Sequence, residues 1–180
     1  MKIGIISSSM RDDSGTDQIA RWIENLATNR GDGVHYELVS LDQYDLPLFG
    51  TKATEKQESD IKKWKDTIAS FDGYIMITPE YNRNIPGFFK NSLDYLMAEL
   101  HDKAVSYVSF GGLGGLAAIQ SLRLINAEQA MASVRAMVTL SINLDFDDSK
   151  VFSPQPYQYN DAELMFTQLV RWTKAMKTIR

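Results

Sequence analysis

Residues 7–16 read Ser-Ser-Ser-Met-Arg-Asp-Asp-Ser-Gly-Thr, and their chemistry is that of an anion cradle. Ser7, Ser8, Ser9, Ser14 and Thr16 offer hydroxyl donors, and Arg11 offers a planar fork that can hold two phosphate oxygens at once. If a helix begins at the end of this run, its free N–H groups add the positive end of the helix dipole. A phosphate dianion could then be held in a chain whose formal charge is −4. The same residues also suit a plainer purpose: Ser14 with Asp17 has capping-box spacing and would start a helix without any ligand. Five hydroxyls and an arginine exceed what a cap requires.

Two further stretches carry polar groups beside apolar runs. Pro79-Glu80-Tyr81-Asn82-Arg83-Asn84 follows Tyr74-Ile75-Met76-Ile77 and sets amide, phenol and backbone donors at its end, which suits a flat ring with polar edges. An ordinary turn before a proline-started helix would look the same. Gly111-Gly112-Leu113-Gly114-Gly115 follows a second apolar run and would let backbone approach a ligand closely, although glycine is common in any loop. No Gly-x-Gly-x-x-Gly follows the first apolar run and no P-loop lysine is present, so the usual dinucleotide and nucleoside triphosphate fingerprints are missing.

The elements needed to position these loops alternate between strand and helix patterns. Residues 2–7 predict a buried strand, and Ile19, Trp22, Ile23 and Leu26 fall on one face of a helix closed by Gly31 and Gly33. A second strand is expected over about 34–40, then a proline-containing loop over 41–54. Thr54 with Gln57 would cap a helix carrying Ile61, Trp64, Ile68 and Phe71. The third strand is Tyr74 to Ile77, and a helix from Pro86 is expected to reach about Leu100. Ala104 to Phe110 predicts the fourth strand, with a helix to about Met131 after the glycine loop. Met137 to Leu144 predicts the fifth strand, and a last helix is expected to start with Asn160 and Glu163 as its capping box. Alternation of this kind implies an α/β fold, a doubly wound five-stranded parallel sheet with helices on both faces, formed by residues 1–180 as one domain. Ligands of such sheets sit at the carboxyl ends of the strands near the topological switch point, which selects the loops 7–16, 78–85 and 109–115.

Composition narrows the function classes. With Lys+Arg 19 against Asp+Glu 23 and no basic run, neither nucleic acid nor an anionic membrane is an expected partner. Cysteine is absent, which removes disulfides, thiol nucleophiles and thiolate metal sites; His35 and His101 stand far apart, so no metal site is expected. A serine hydrolase would need a base near Ser7 to Ser9, and neither histidine falls in a selected loop. No apolar stretch approaches a membrane span and no cleavable leader precedes the first strand pattern, so the expected location is cytoplasmic.

The chain resembles the NADPH-dependent FMN reductase family, flavodoxin-like NAD(P)H-dependent flavin, quinone and azo reductases. The family's first loop typically reads Gly-Ser-x-Arg-x-x-Ser, matched here by Ser8-Ser9-Met10-Arg11-Asp12-Asp13-Ser14. Its second signature, Pro-Glu-Tyr-Asn, stands intact at 79–82, followed by the similar Ile85-Pro86-Gly87 and Lys90-Asn91. Leu46-Pro47-Leu48-Phe49 and Ser109-Phe110-Gly111-Gly112 also look like the family, so the matches run over about residues 2–130. The resemblance implies that Ser9, Arg11, Ser14 and Thr16 bind the FMN phosphate, and that Pro79, Glu80, Tyr81 and Asn82 lie along the isoalloxazine ring. It extends the cofactor-binding set to Ser109, Gly111 and Gly112.

The implied reaction is a ping-pong exchange: NADPH or NADH reduces the flavin and leaves, and a small-molecule acceptor then takes two electrons. No protein group is assigned as catalytic, and Glu80 is read as orienting the loop or capping a neighbour. An electron carrier of flavodoxin type and a flavin-free regulatory domain are the competing readings. Two departures stand out. Ser8 replaces the usual glycine, so the turn must avoid positive φ there, and Arg83-Asn84 stands where smaller residues are frequent. The resemblance also implies a homodimer or homotetramer, consistent with Phe88 and Tyr95 projecting from a side of their helix that the sheet would leave uncovered.

Overall fold

The computed structural model describes residues 1–10 and 14–180. The elements follow in the order β1 (Lys2–Ser7), α1 (Gly15–Thr28), β2 (His35–Ser40), α2 (Glu55–Ala69), β3 (Gly73–Pro79), α3 (Gly87–Asp94), β4 (Ala104–Gly111), α4 (Leu116–Glu128), β5 (Ala132–Ser133), β6 (Val138–Ser141) and α5 (Pro156–Met176). All pairings between these strands are parallel, in the order β2-β1-β3-β4-β5, with β6 also on β4. This is the expected doubly wound α/β sheet, five strands wide with one extra segment.

Alternation along the central strands sorts the core into two layers. Ile6, Tyr74, Met76, Val105 and Tyr107 face α2, α3 and α4, packing with Trp64, Phe89, Leu93 and Leu122. Ile3, Ile5, Ile75, Ile77 and Val108 face α1 and α5, packing with Ile19, Ile23, Phe166 and Leu169. Every residue of β3 is buried, as a central parallel strand with both faces covered requires.

Three boundaries differ from expectation. The fifth position of the sheet is shared by two short segments, since β5 pairs Ala104 with Ala132 while β6 pairs Val108 with Val138. The offset grows by two residues between them; β5 lies before the run expected from Met137 to Leu144, and β6 covers only Val138–Ser141 of that run. The α3 helix ends at Asp94, and Leu96 and Leu100 are buried from the turns that follow, where Leu96 N–H and Leu100 N–H bond three residues back. Finally, α5 begins at Pro156 with Gln155 and Gln158 forming its capping box; Asn160 and Glu163 lie inside the helix, and Glu163 pairs with Arg30. The Thr54–Gln57 box is formed as expected.

Candidate active site

The three selected loops meet at the carboxyl ends of β1, β3 and β4, around a cavity of about 280 Å³. Its lining comprises Ser8, Ser9, Met10, Ser14, Gly15 and Thr16 from the first loop, Pro79 and Tyr81 from the second, Phe110 from the third, and Phe88 of α3. A second cavity of about 350 Å³ adjoins it, sharing Met10 and Phe88 and walled by residues 41–46, Lys56 and Asn91. Together they form a concave site of mixed apolar and polar lining, with a hydroxyl-rich polar end in the first cavity, of the size small-molecule and cofactor sites have.

The polar end is built on the start of α1. Ser14 is the N-cap, its Oγ accepting from Asp17 N–H at 3.1 Å, and the same Oγ lies 2.7 Å from Ser9 Oγ. Gly15 and Thr16, the first two residues of α1, have N–H groups with no partner among the described residues. They therefore present the unsatisfied donors and the positive dipole end that favour an anion. Ser8 is buried and its backbone is not in the left-handed region, so serine in place of glycine imposes no strain at that turn. Arg11, the fourth expected phosphate ligand, lies outside the described residues.

The second loop turns tightly. Tyr81 and Asn84 exchange both backbone hydrogen bonds, at 2.8 and 2.9 Å, around Asn82 and Arg83, whose φ angles are +50° and +66°. Two consecutive positive φ values mark a hairpin turn of primed type, which glycine and asparagine tolerate and arginine disfavours. Tyr81 remains half exposed at the cavity wall, whereas Asn82 and Arg83 point their turn beyond the lining residues. Arg83 reaches back to Glu80, at 3.6 Å.

Glu80 has another task. The N-cap of α4 is Gly115, which has no side chain to cap with, and Glu80 Oε2 supplies the cap from outside by accepting from Ala117 N–H at 2.9 Å and Ala118 N–H at 3.4 Å. Its own N–H donates to Phe110 O at 2.8 Å. Glu80 thus ties the second loop to the third and lies outside the cavity lining. Glu80→Ala is expected to lower stability by roughly 0.5–2 kcal/mol through the lost cap, and Glu80→Gln, which retains an acceptor, by less. Thermal melts of the two variants measure this.

Ser109 and the glycines also act on the frame. Ser109 Oγ donates to Thr78 O at 2.8 Å and is fully buried, locking the ends of β3 and β4 together. Gly111 sits so close to Glu80 that an added Cβ would lie 3.0 Å from Glu80 Cβ, while Gly112 is exposed with open space around it. Of the expected set, Ser9, Ser14, Thr16, Pro79 and Tyr81 therefore line the cavity. Glu80, Ser109 and Gly111 hold its walls in place, and Asn82 and Gly112 lie outside the lining.

Sequence reading missed three contributors: Phe110 lay within a quoted motif without a role, Met10 fell between the polar residues, and Phe88 was assigned to an uncovered surface. Ser8 was read as one of five hydroxyl donors but was left out of the expected cofactor-binding set. Phe88 instead lines both cavities, and Tyr95 is covered from within the chain: its hydroxyl donates to Pro47 O at 2.9 Å and its ring meets Phe49 at 5.2 Å, edge to face. Asn91 fixes the same loop, donating to Pro47 O and accepting from Phe49 N–H, both at 2.8 Å. Leu46-Pro47-Leu48-Phe49 is thus pinned onto α3, and these two aromatic rings no longer argue for a partner subunit.

Among the described residues no helix is long and apolar enough to cross a membrane. Comparison with known proteins agrees with this geometry. The chain is 32% identical over 125 residues to an NAD(P)H-dependent FMN reductase of Nectria sp, an alignment covering 63% of this chain and 61% of that protein. It is 33% identical over 125 residues to an NADPH azoreductase of Bacillus sp., covering 68% and 66%. The chain thus spans about three fifths to two thirds of the length of these relatives. In structure it is similar to the flavoenzyme NAD(P)H:(acceptor) oxidoreductase of Paracoccus denitrificans, with TM-score 0.72 at 19% identity over 97% of this chain and 98% of that one, a likeness of fold. The model of one family, described as NADPH-dependent FMN reductase, matches residues 1–144, four fifths of the chain and all three loops of the cavity, and the chain belongs to that family.

Proposed function

We propose that this protein is an FMN-dependent NAD(P)H oxidoreductase, a single domain over residues 1–180 that reduces a flavin, quinone or azo-type acceptor by a ping-pong mechanism. The observation that supports it most is the meeting of three strand-end loops at one cavity whose polar end carries unpartnered donors. Among the described residues, Gly15 N–H, Thr16 N–H and the buried Ser8 hydroxyl lack partners, and all three belong to residues lining the cavity. A phosphate matches that donor set, and an apolar ring system matches Phe88, Phe110, Pro79 and Tyr81 beyond it.

In this reading Ser9, Ser14, Thr16 and Arg11 hold the FMN phosphate, with the dipole of α1 adding to their attraction. Pro79 and Tyr81 bound the ring, with Asn82 at its edge. Glu80, Ser109 and Gly111 fix the loops so that the lining residues keep their places, and Gly112 leaves the loop mouth open. When bound, FMN supplies the two-electron chemistry between NADPH or NADH and the acceptor. The protein's share is to hold the ring, exclude water from one side of it and leave the other open to ligands that take turns. The second cavity beside Met10 and Phe88 offers that room.

The family names of the relatives support NAD(P)H as reductant. A homodimer or homotetramer and a cytoplasmic setting belong to the same proposal, resting on the resemblance. Titrating the purified protein with FMN tests the cofactor assignment: saturable quenching of flavin fluorescence is expected, and unquenched fluorescence at equimolar protein would remove it.

A further inference from the structure

Ser8 stands where the family commonly has glycine, and its side chain has no structural work to do. Its N–H donates to Ile77 O at 3.0 Å and extends the β1–β3 ladder by one bond, so the backbone is fixed by the sheet alone. Its φ is not positive, so the residue is not selected by turn geometry. Yet the side chain is present, 1% exposed, and its Oγ is buried with no hydrogen-bond partner among the described residues. The neighbouring hydroxyls differ: Ser7 Oγ accepts from Ser9 N–H, and Ser9 Oγ and Ser14 Oγ bond each other. A buried hydroxyl without a partner is unfavourable, and native proteins keep such groups where something other than protein satisfies them.

The orphan belongs to a residue lining the 280 Å³ cavity, as do Gly15 and Thr16, whose N–H groups have no partner among the described residues. We propose that Ser8 Oγ is an additional cofactor ligand of this chain, donating a hydrogen bond to an oxygen of the ribityl-phosphate chain of FMN. Both sources of that oxygen, phosphate and ribityl alcohol, accept the same donor. The inference rests on the FMN reading above and adds to it a contact that a glycine at this position cannot make. It also means that the cofactor-free protein carries a destabilising group that the cofactor relieves.

The test uses the full chain as Ser8→Ala, with Ser7→Ala as the control whose hydroxyl already has a protein partner. Two quantities are read: the melting temperature of the cofactor-free protein and the Kd for FMN and for riboflavin by flavin fluorescence quenching. For Ser8→Ala the two should move in opposite senses. The cofactor-free protein melts at the same temperature as the parent or higher, because the unsatisfied hydroxyl is gone, while the FMN Kd rises roughly 3- to 30-fold. If the partner is the phosphate, riboflavin binding is unaffected; if it is the ribityl chain, riboflavin weakens in parallel. An FMN Kd equal to the parent's overturns the inference and leaves the FMN reading intact, as does a lowered melting temperature in the cofactor-free variant. Failure of the parent protein itself to bind FMN removes the reading beneath it.

Discussion

Alanine in place of Arg11 is expected to weaken FMN binding by roughly 10- to 150-fold, while riboflavin loses little. The reason is the charge carried by one ligand and not the other. A guanidinium fork on a phosphate makes two charge-assisted hydrogen bonds, worth about 1.5–3 kcal/mol, and riboflavin has no phosphate for it to hold. The structure describes the setting on both sides of Arg11: Ser9 and Met10 before it, and Ser14 capping α1 after it. A phosphate held by Gly15 N–H and Thr16 N–H alone would lean on the dipole of one helix; an arginine on it would add a whole positive charge in a chain of net charge −4. Fluorescence titration with both ligands measures the effect. Equal losses for FMN and riboflavin would remove Arg11 from the phosphate site, and increased salt should narrow the gap between the ligands.

The second large effect is expected at Gly115. Its φ is +73°, and a Cβ built there would lie 2.4 Å from Ser109 Oγ, 2.6 Å from Phe110 N and 2.7 Å from Ser109 C. Two of those atoms are backbone and cannot rotate away. The left-handed conformation costs an alanine about 1–2 kcal/mol, and overpacking against a fixed backbone adds roughly 1–3 kcal/mol. For a chain of this size the sum corresponds to a fall in melting temperature on the order of 5–15 °C. The damage should reach the site, because Ser109 Oγ holds Thr78 O and Phe110 lines the cavity, so FMN affinity falls as well. Gly112→Ala is the internal comparison: Gly112 has open space around it and no positive φ, and its variant should melt with the parent. Equal melting temperatures for the Gly115 and Gly112 variants would show that the close approach at Gly115 carries no weight.

These two residues illustrate what sequence could and could not reveal. Arg11 stands out in sequence because its neighbours suggest an anion, five hydroxyls around one cation in the loop after the first strand, and it lies outside the described residues. The glycine loop was legible only as a flexible stretch: nothing in its sequence separates Gly115, which the backbone of Ser109 and Phe110 crowds, from Gly112, which meets nothing. That distinction depends on contacts between β4 and the turn that follows it. The role of Glu80 was half legible, since a carboxylate in a loop suggests a cap, but its helix, α4, starts 36 residues later at a glycine N-cap. Among the elements, β1 and β3 read clearly because both faces of a central strand must be apolar. The split edge over Ala132–Ser133 and Val138–Ser141 did not, because two-residue and four-residue segments carry too little pattern. Likewise the apolar spacing at Leu96 and Leu100 continued past the end of α3, where turns serve the same buried face.

The measurement that bears most directly on the reductase reading is the anaerobic absorbance of the FMN-loaded protein after mixing with NADPH or NADH, with no other protein present. Rapid loss of the flavin bands is expected, with their return when a quinone is added and double-reciprocal rate plots that stay parallel as the quinone concentration changes. Flavin bands that persist in NADPH and NADH but bleach once a partner reductase is supplied would contradict the reductase reading, and would make the protein an electron carrier.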